Sequence, residues 1–450
     1  MSGPNSKILH RIIGAKVPQI VSSSGIHLRD ASGRDIVDAS GGAAVACLGH
    51  SHPKIIAAME AQMASVCYVH SGSFTTPIVE ELGRVMAENA PDTINHTYLV
   101  SGGSEAVESA IKLARQYHVE TGSPDRRHII ARRQSYHGNT FGALSASGHR
   151  ARRKIYEPML VPFHHVDPCY FYRHAESGET PEDYGRRAAD SLEVKIAELG
   201  TENVAAFIAE TVVGATLGAA TAEAGYFRRI REICDKHNVL LILDEVMSGL
   251  GRTGTMHAFE QEGIVPDMVT LAKGLAGGYQ PIGAVMIEDR VYGALARGSR
   301  AFQHGLTYSG HPVAAAAALA VQQEIAEQNL LSNVGEMGNR LASGLKTRLE
   351  AHPYVGHFRG RGLLQAFELV ADRDTKAPFD ASLKINERLK DTAMDLGLMI
   401  YPSGGCADGV NGDHLLIAPP FNVTADEIDK IVDLVGLTVD QVFSEISFEK

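Results

Sequence analysis

Residues 239–254, VLLILDEVMSGLGRTG, and residues 265–283, VPDMVTLAKGLAGGYQPIG, decide the fold. Each carries a short apolar run that stops on a charge: Val239–Leu243 on Asp244, and Met268–Ala272 on Lys273. Runs of about five apolar residues bounded by turn residues read as strands buried on both faces, the habit of a parallel sheet. In open α/β sheets the ligand site lies beyond the carboxyl ends of the strands. The spacing therefore predicts an acid and a lysine side by side on that rim.

Working outward, the same rhythm repeats. Ala205–Ala209 is apolar and ends on Glu210. A helix over Tyr226–His237 follows, with Phe227, Ile230, Ile233 and Cys234 on one face, and leads into the first run. Upstream, Thr97–Val100 reads as a strand, then Ser101-Gly102-Gly103-Ser104 turns into a helix whose apolar stripe is Ala106, Val107, Ala110, Ile111 and Ala114. A Gly-Ser turn opening a helix suits an anion, because free N–H groups and the helix dipole both favour negative charge. Ile129–Arg132 is another strand and runs into Ser135-Tyr136-His137-Gly138. An aromatic followed by glycine there either covers a flat heteroaromatic ring or is a packed core tyrosine. With Ile282–Ile287 as the last strand, the alternation over 97–287 predicts a parallel sheet with covering helices. Residues 150–195 read as charged, irregular surface excursions, with His164 and His165 as solvated loop residues.

A carboxylate and a lysine on one rim match what pyridoxal phosphate requires. A lysine amine holds its aldehyde as a Schiff base, and a carboxylate keeps its pyridine nitrogen protonated so that the ring acts as an electron sink. The bland alternatives are that Asp244 caps a helix or pairs with an arginine, and that Lys273 sits in a surface turn.

Composition narrows the field. The chain has 450 residues, 44% hydrophobic and 21% charged, with a net charge of −11 from 42 basic and 53 acidic residues. No run of like charges offers a nucleic-acid surface. No stretch reaches the roughly 18 apolar residues of a membrane span. The opening MSGPNSKILHRIIGAK lacks the apolar core of a signal peptide, so the expectation is a cytoplasmic protein. Five scattered cysteines (Cys47, Cys67, Cys169, Cys234 and Cys406) form no CxxC pair and read as reduced thiols. His50 and His52 lack further ligands at zinc spacing, so a turn before a helix starting near Pro53 is preferred and no metal is expected.

The flanks complete the organisation. GIHLRDASGRDIVDAS (25–40) reads as an antiparallel hairpin turning at Ser32-Gly33. Beyond residue 312 come a long Ala-rich helix (312–328), a polar-faced helix (333–350), the run GLLQAFELV, a helix near 382–395, LMIYP and HLLIAP. Thr424-Ala425-Asp426-Glu427 opens the last helix as a capping box. The expected division is residues 1–65 as part of a small domain, 66–315 as the large cofactor domain, and 316–450 as the C-terminal α+β part of the small domain.

Taken together, GHSHP, SGGSEAVESAIKLAR, SYHGNT, the stretch from Gly225 to Gly254, PDMVTLAKGLAGGYQPIGAV and LTYSGHPVAAAAAL resemble the class III aminotransferases, which have the fold-type-I pyridoxal-phosphate architecture. The resemblance runs nearly end to end, and the order of the motifs makes it specific. It implies roles. Lys273 would hold the cofactor's aldehyde, Asp244 would bond the pyridine nitrogen, and Val246 and Tyr136 would pack on opposite ring faces. Gly103 and Ser104 would hold the phosphate, while Thr307 would reach the phosphate of the neighbouring subunit. A homodimer with shared sites is implied, with pairing into tetramers left open. The substrates implied are a small amine and a keto acid, exchanged by ping-pong turnover.

Where the pattern departs from better-known members, substrate is at stake. Those that use 2-oxoglutarate with ornithine or 4-aminobutyrate carry an acidic residue after the strand ending at Glu210; here Ala215 stands in that place. Many pyruvate-using members carry an arginine shortly before the C-terminal Pro-Pro pair, and residues 403–413 (SGGCADGVNGD) contain none. Arg359 and Arg361 are substitutes by proximity in sequence only. The leading expectation is an ω-amino-acid or amine aminotransferase with pyruvate preferred over 2-oxoglutarate. A racemase, aminomutase or decarboxylase on the same scaffold is the alternative, and a cofactor-less binding protein is a second one.

Overall fold

The two apolar runs are neighbouring strands. In the computed structural model, which describes residues 6–446, the strands in chain order begin with β1 (Ile20–Ser24), β2 (His27–Asp30), β3 (Asp35–Asp38) and β4 (His96–Val100). Next are β5 (His128–Arg132), β6 (His164–Val166), β7 (Val204–Glu210), β8 (Val212–Val213) and β9 (Ala220–Thr221). The deciding runs are β10 (Leu240–Asp244) and β11 (Met268–Leu271), followed by β12 (Gly283–Ile287). The series closes with β13 (Val355–Arg361), β14 (Leu364–Leu369), β15 (Leu398–Met399), β16 (Tyr401–Gly404) and β17 (Asp413–Ile417).

Seven strands form the central sheet in the order β4-β12-β11-β10-β7-β5-β6. Every residue of β7, β10 and β11 is buried, which is why these strands are continuously apolar rather than alternating. Their side chains still alternate between faces. Leu240 and Ile242 join the layer under the helix Gly103–Glu120, whereas Leu241 and Leu243 join the layer under the helices Pro181–Leu199 and Tyr226–His237. Each such side chain contributes about 1.5–3 kcal/mol by leaving water, so both faces are strongly specified.

The expected mainly parallel sheet forms, with one of the strands in the series reversed. β10 runs parallel to β7 and β11, but β12 is antiparallel to both β11 and β4. Parallel neighbours need a crossover of about a dozen residues or more, usually a helix. Between Leu271 and Gly283 the chain forms only the short 3-10 turn Lys273–Leu275 and a loop, so β12 returns in the opposite direction.

The reading of residues 150–195 as irregular surface is also corrected. Pro181–Leu199 is a helix with Thr180 as its N-cap, and it buries Tyr184, Ala188, Ala189, Leu192 and Ile196. His164 and His165 lie in β6, half-buried and paired to β5; His164 meets His128 at 3.2 Å, and His165 bonds the Ala146 carbonyl at 3.0 Å.

The hairpin β2–β3 forms as expected, and β3 pairs in parallel with β15 from the far end of the chain. A separate four-stranded sheet, β13-β14-β17-β16, packs against the helices Leu330–Leu349 and Ile385–Asp395, and the helix Ala425–Glu445, which Thr424 and Glu427 cap reciprocally, packs on those helices. His50 and His52 point to different partners, Asp38 at 3.0 Å and Glu324 at 3.6 Å. His52 is the residue before the helix Pro53–Ser65. All five cysteines are unpaired, and all but Cys67 are buried. Among the described residues no helix is long and apolar enough to cross a membrane, and no cluster of histidine, cysteine, aspartate and glutamate could hold a metal ion.

Candidate active site

A cavity of about 410 Å³ opens at the carboxyl ends of the parallel strands. Gly103, Ser104, Tyr136, Asp244, Val246 and Lys273, from four separate stretches of chain, all line it. Thr307 does not. It is exposed, in the segment that follows the helix Asp289–Arg297, and its carbonyl accepts a hydrogen bond from Tyr68 at 3.1 Å.

Asp244 is the last residue of β10 and is only 4% exposed. One carboxylate oxygen, Oδ1, accepts the Val246 N–H at 3.0 Å, and Oδ2 lies 2.7 Å from His137 Nδ1. The first bond turns the chain sharply, so that Val246 faces the cavity beside the carboxylate. The second fixes the carboxylate plane. Glu210 ends β7 in register with Asp244. It accepts the N–H groups of Tyr136 at 3.0 Å and Gly214 at 2.9 Å. Burial raises the pKa of Glu210, with the charge of Asp244 adding to the effect and His137 opposing it.

Lys273 lies just beyond β11, after Ala272, and has φ +41°, a left-handed backbone that a non-glycine residue adopts only when its surroundings impose it. Its amine makes no hydrogen bond or ion pair among the described residues. Burial pushes its pKa down to about 8; Asp244 and Glu210 oppose that shift, and the charges of Arg252 and Arg152 reinforce it. An amine with its pKa lowered that far is available as a nucleophile close to neutral pH.

The helix Gly103–Glu120 begins at the cavity without a side-chain cap, so its first N–H groups remain available to an anion. The approach is close. A Cβ on Gly103 would come within 3.0 Å of Val246, and one on Gly138 within 2.5 Å of Ser104 Oγ. Ser104 Oγ itself accepts the Asn139 N–H at 3.0 Å. A free amine, a fixed carboxylate, an aromatic and a branched side chain lining the same cavity, and an uncapped helix start together fit a phosphorylated pyridine aldehyde.

Two residues at the site were not singled out from sequence. Glu210 had a usable signal, since it ends a buried strand just as Asp244 does. His137 had none, because its bond to Asp244 joins positions 107 apart. Arg359 and Arg361, the substitutes considered for the missing arginine, are both engaged. Arg359 Nε donates to the carbonyls of Leu217 at 2.9 Å and Gly218 at 2.7 Å, and its guanidinium meets Glu368 at 3.3 Å. Arg361 pairs with Glu262 at 2.6 Å.

A mainly parallel sheet with this lysine and carboxylate at adjacent strand ends defines a fold-type-I pyridoxal-phosphate enzyme. The class-III aminotransferase profile matches residues 14–438. An uncharacterised aminotransferase of Schizosaccharomyces pombe is 44% identical over 423 residues, covering 94% of this chain and 92% of that protein. The putrescine–pyruvate aminotransferase of Pseudomonas aeruginosa is 33% identical over 435 residues, covering 96% and 92%. The crystal structure of the omega transaminase of Pseudomonas jessenii in complex with PMP superimposes with a TM-score of 0.90 at 33% identity, covering 95% and 93%. The chain belongs to the class III aminotransferases, enzymes that use pyridoxal 5′-phosphate.

Proposed function

We propose that the enzyme moves an amino group from an ω-amino acid or primary amine to pyruvate by a ping-pong cycle. The observation that carries this reading is Ala215, a small apolar residue lining the cavity at the place where 2-oxoglutarate users of the family carry an acidic switch. The relative from Pseudomonas aeruginosa, named for putrescine and pyruvate, supports the same choice.

In this reading Lys273 and Asp244 hold the cofactor at opposite ends of its ring. Tyr136 and Val246 pack on its faces, and Gly103 and Ser104 take its phosphate. Thr307 serves the phosphate site of a second copy of the chain. Bound pyridoxal phosphate supplies an electron sink for the bond that breaks at the substrate carbon. Lys273 Nζ, its pKa lowered toward neutrality, would take the proton from that carbon and pass it to the cofactor's former aldehyde carbon within the same half-reaction, and would carry it the opposite way in the second. Asp244, anchored by His137 and the Val246 N–H, keeps its charge turned toward the pyridine nitrogen. The carbonyl product leaves before the keto acid enters.

Half-reaction spectroscopy tests the acceptor. The amino form of the loaded enzyme is mixed with pyruvate or with 2-oxoglutarate, and return of the visible absorption band is timed. Pyruvate is expected to be faster; faster recovery with 2-oxoglutarate overturns the assignment. Lys273→Ala is the blank and is expected to show no turnover.

A further inference from the structure

Three arginines stand close together at 150, 152 and 153, and they have different fates. Arg153 Nη1 is spent on the carbonyls of Leu144, Ser145 and Ser147 at 2.7–3.1 Å, and so closes the end of the helix Phe141–Ala146. Arg150 is exposed and lies against the 403–412 loop, where its charge acts on Asp408. Arg152 is half-buried, and its guanidinium sits over the Tyr136 ring, 4.5 Å from the centroid.

Stacking on a ring occupies the face of a guanidinium and leaves its in-plane N–H donors free. Arg152 has no ion pair and no hydrogen-bond acceptor among the described residues. That is unusual for a partly buried arginine, because a desolvated cation without a partner is costly. The other arginines near the cavity already donate to backbone carbonyls. Arg132 donates to the Glu210 carbonyl, Arg252 to the carbonyls of Leu363 and Pro419, and Arg359 to Leu217 and Gly218. The only cation among the residues that line the cavity is Lys273, which is committed to the chemistry. A negatively charged substrate group would meet two carboxylates, Glu210 and Asp244, unless a cation is supplied.

We infer that Arg152 is the specificity-determining residue that binds the substrate's carboxylate, clamping a short keto acid, and the amino acid formed from it, by a bidentate pair beside Tyr136. This rests on the proposed keto-acid acceptor and names the group that recognises it. A planar fork is the geometry a carboxylate prefers, and the tyrosine beneath holds that fork in one plane, which lowers the ordering cost. The assignment also answers how this chain manages without an arginine in the 403–413 segment: its carboxylate partner comes from the short turn Arg150–Arg153, which lies against that segment.

The test uses cofactor-loaded enzyme, Arg152→Gln and Arg152→Lys, with Arg133→Gln as a surface control, since Arg133 is exposed and pairs only with Asp167. The first readout is the ratio of kcat/KM for pyruvate to that for butanal, an acceptor with no carboxylate. Losing one charge-assisted bidentate pair of about 2 kcal/mol, at 1.4 kcal/mol per tenfold, lowers that ratio roughly 30-fold in Arg152→Gln. Arg152→Lys, which keeps the charge but not the fork, should recover only part of it. The second readout is calorimetric binding of propionate, expected to weaken by a similar factor and to become less sensitive to salt. An unchanged ratio, or equal losses for pyruvate and butanal, overturns the inference and makes Arg152 merely a prop for Tyr136. Propionate binding reads Arg152 whether or not pyruvate is the acceptor. Weakened propionate binding without pyruvate turnover would therefore sink the proposed acceptor and leave the carboxylate site standing.

Discussion

Lys273 sits where three demands meet: a left-handed backbone, a position just past a buried strand, and an amine held without a partner. Burial disfavours the ammonium form, and the nearby carboxylates limit how far that goes, leaving a pKa of about 8 instead of 10.5. The sign follows directly. A lowered lysine pKa means that the neutral amine dominates above about 8, so reactivity rises with pH through that value. The rate at which cofactor-free protein captures pyridoxal phosphate, followed by absorbance, is expected to climb to an inflection near 8, and an inflection near 10.5 would count against the burial argument. At this scale the pair proposed to carry the chemistry was legible, because Asp244 and Lys273 each end an apolar run. Their partners were not. His137 reaches Asp244 across 107 positions, and no local pattern predicts such a bond.

At the scale of elements, the ends of the sheet divide their labour. Asp244, Glu210 and Lys273 gather at the carboxyl ends, while Asp267, one residue before β11, ties the opposite end. Its carboxylate accepts the Leu241 N–H at 2.6 Å, pairs with Arg231 at 3.0 Å, and also binds Arg290. Removing one partner of a buried charge network leaves the others unpaired. Asp267→Ala is therefore expected to cost about 3 kcal/mol, read as a lower midpoint in denaturant unfolding. A loss below about 1 kcal/mol would place the strands' alignment in packing alone. Over 181–199 the charges Arg186, Arg187, Asp190 and Glu193 dominate the eye, although Tyr184, Ala188, Leu192 and Ile196 keep helical spacing and are buried. The reversed β12 was likewise readable from a connection too short for a crossover, once loop length is weighed along with apolar runs.

For the whole molecule the open matter is assembly. Thr307 is exposed and apart from the cavity of its own chain, while Tyr308 beside it is 60% exposed and Phe74 is 66% exposed. Members of this family are generally dimeric, and a shared site makes a sharp prediction. Thr307→Glu and Lys273→Ala should each be inactive alone. Mixed by co-refolding, random pairing restores one competent site in each heterodimer, or about a quarter of full activity. Activity no greater than the sum of the two variants would show that each chain serves only itself.

The sequence by itself determined the class of chemistry. Asp244, Lys273 and the Gly103-Ser104 helix start are fixed by short-range rules: apolar runs make buried strands, strands present their ends at one rim, and a Gly-Ser turn opens a helix to an anion. Tertiary structure alone decided which groups remain free. Arg359 and Arg361 were the substitutes the sequence offered, yet carbonyls and acids from distant loops consume them; Arg152, without any motif, is left with its donors open over Tyr136. Whether an arginine is spent or available depends on which backbone carbonyls the fold brings to it, and that is set by contacts across a hundred or more positions, not by its neighbours along the chain.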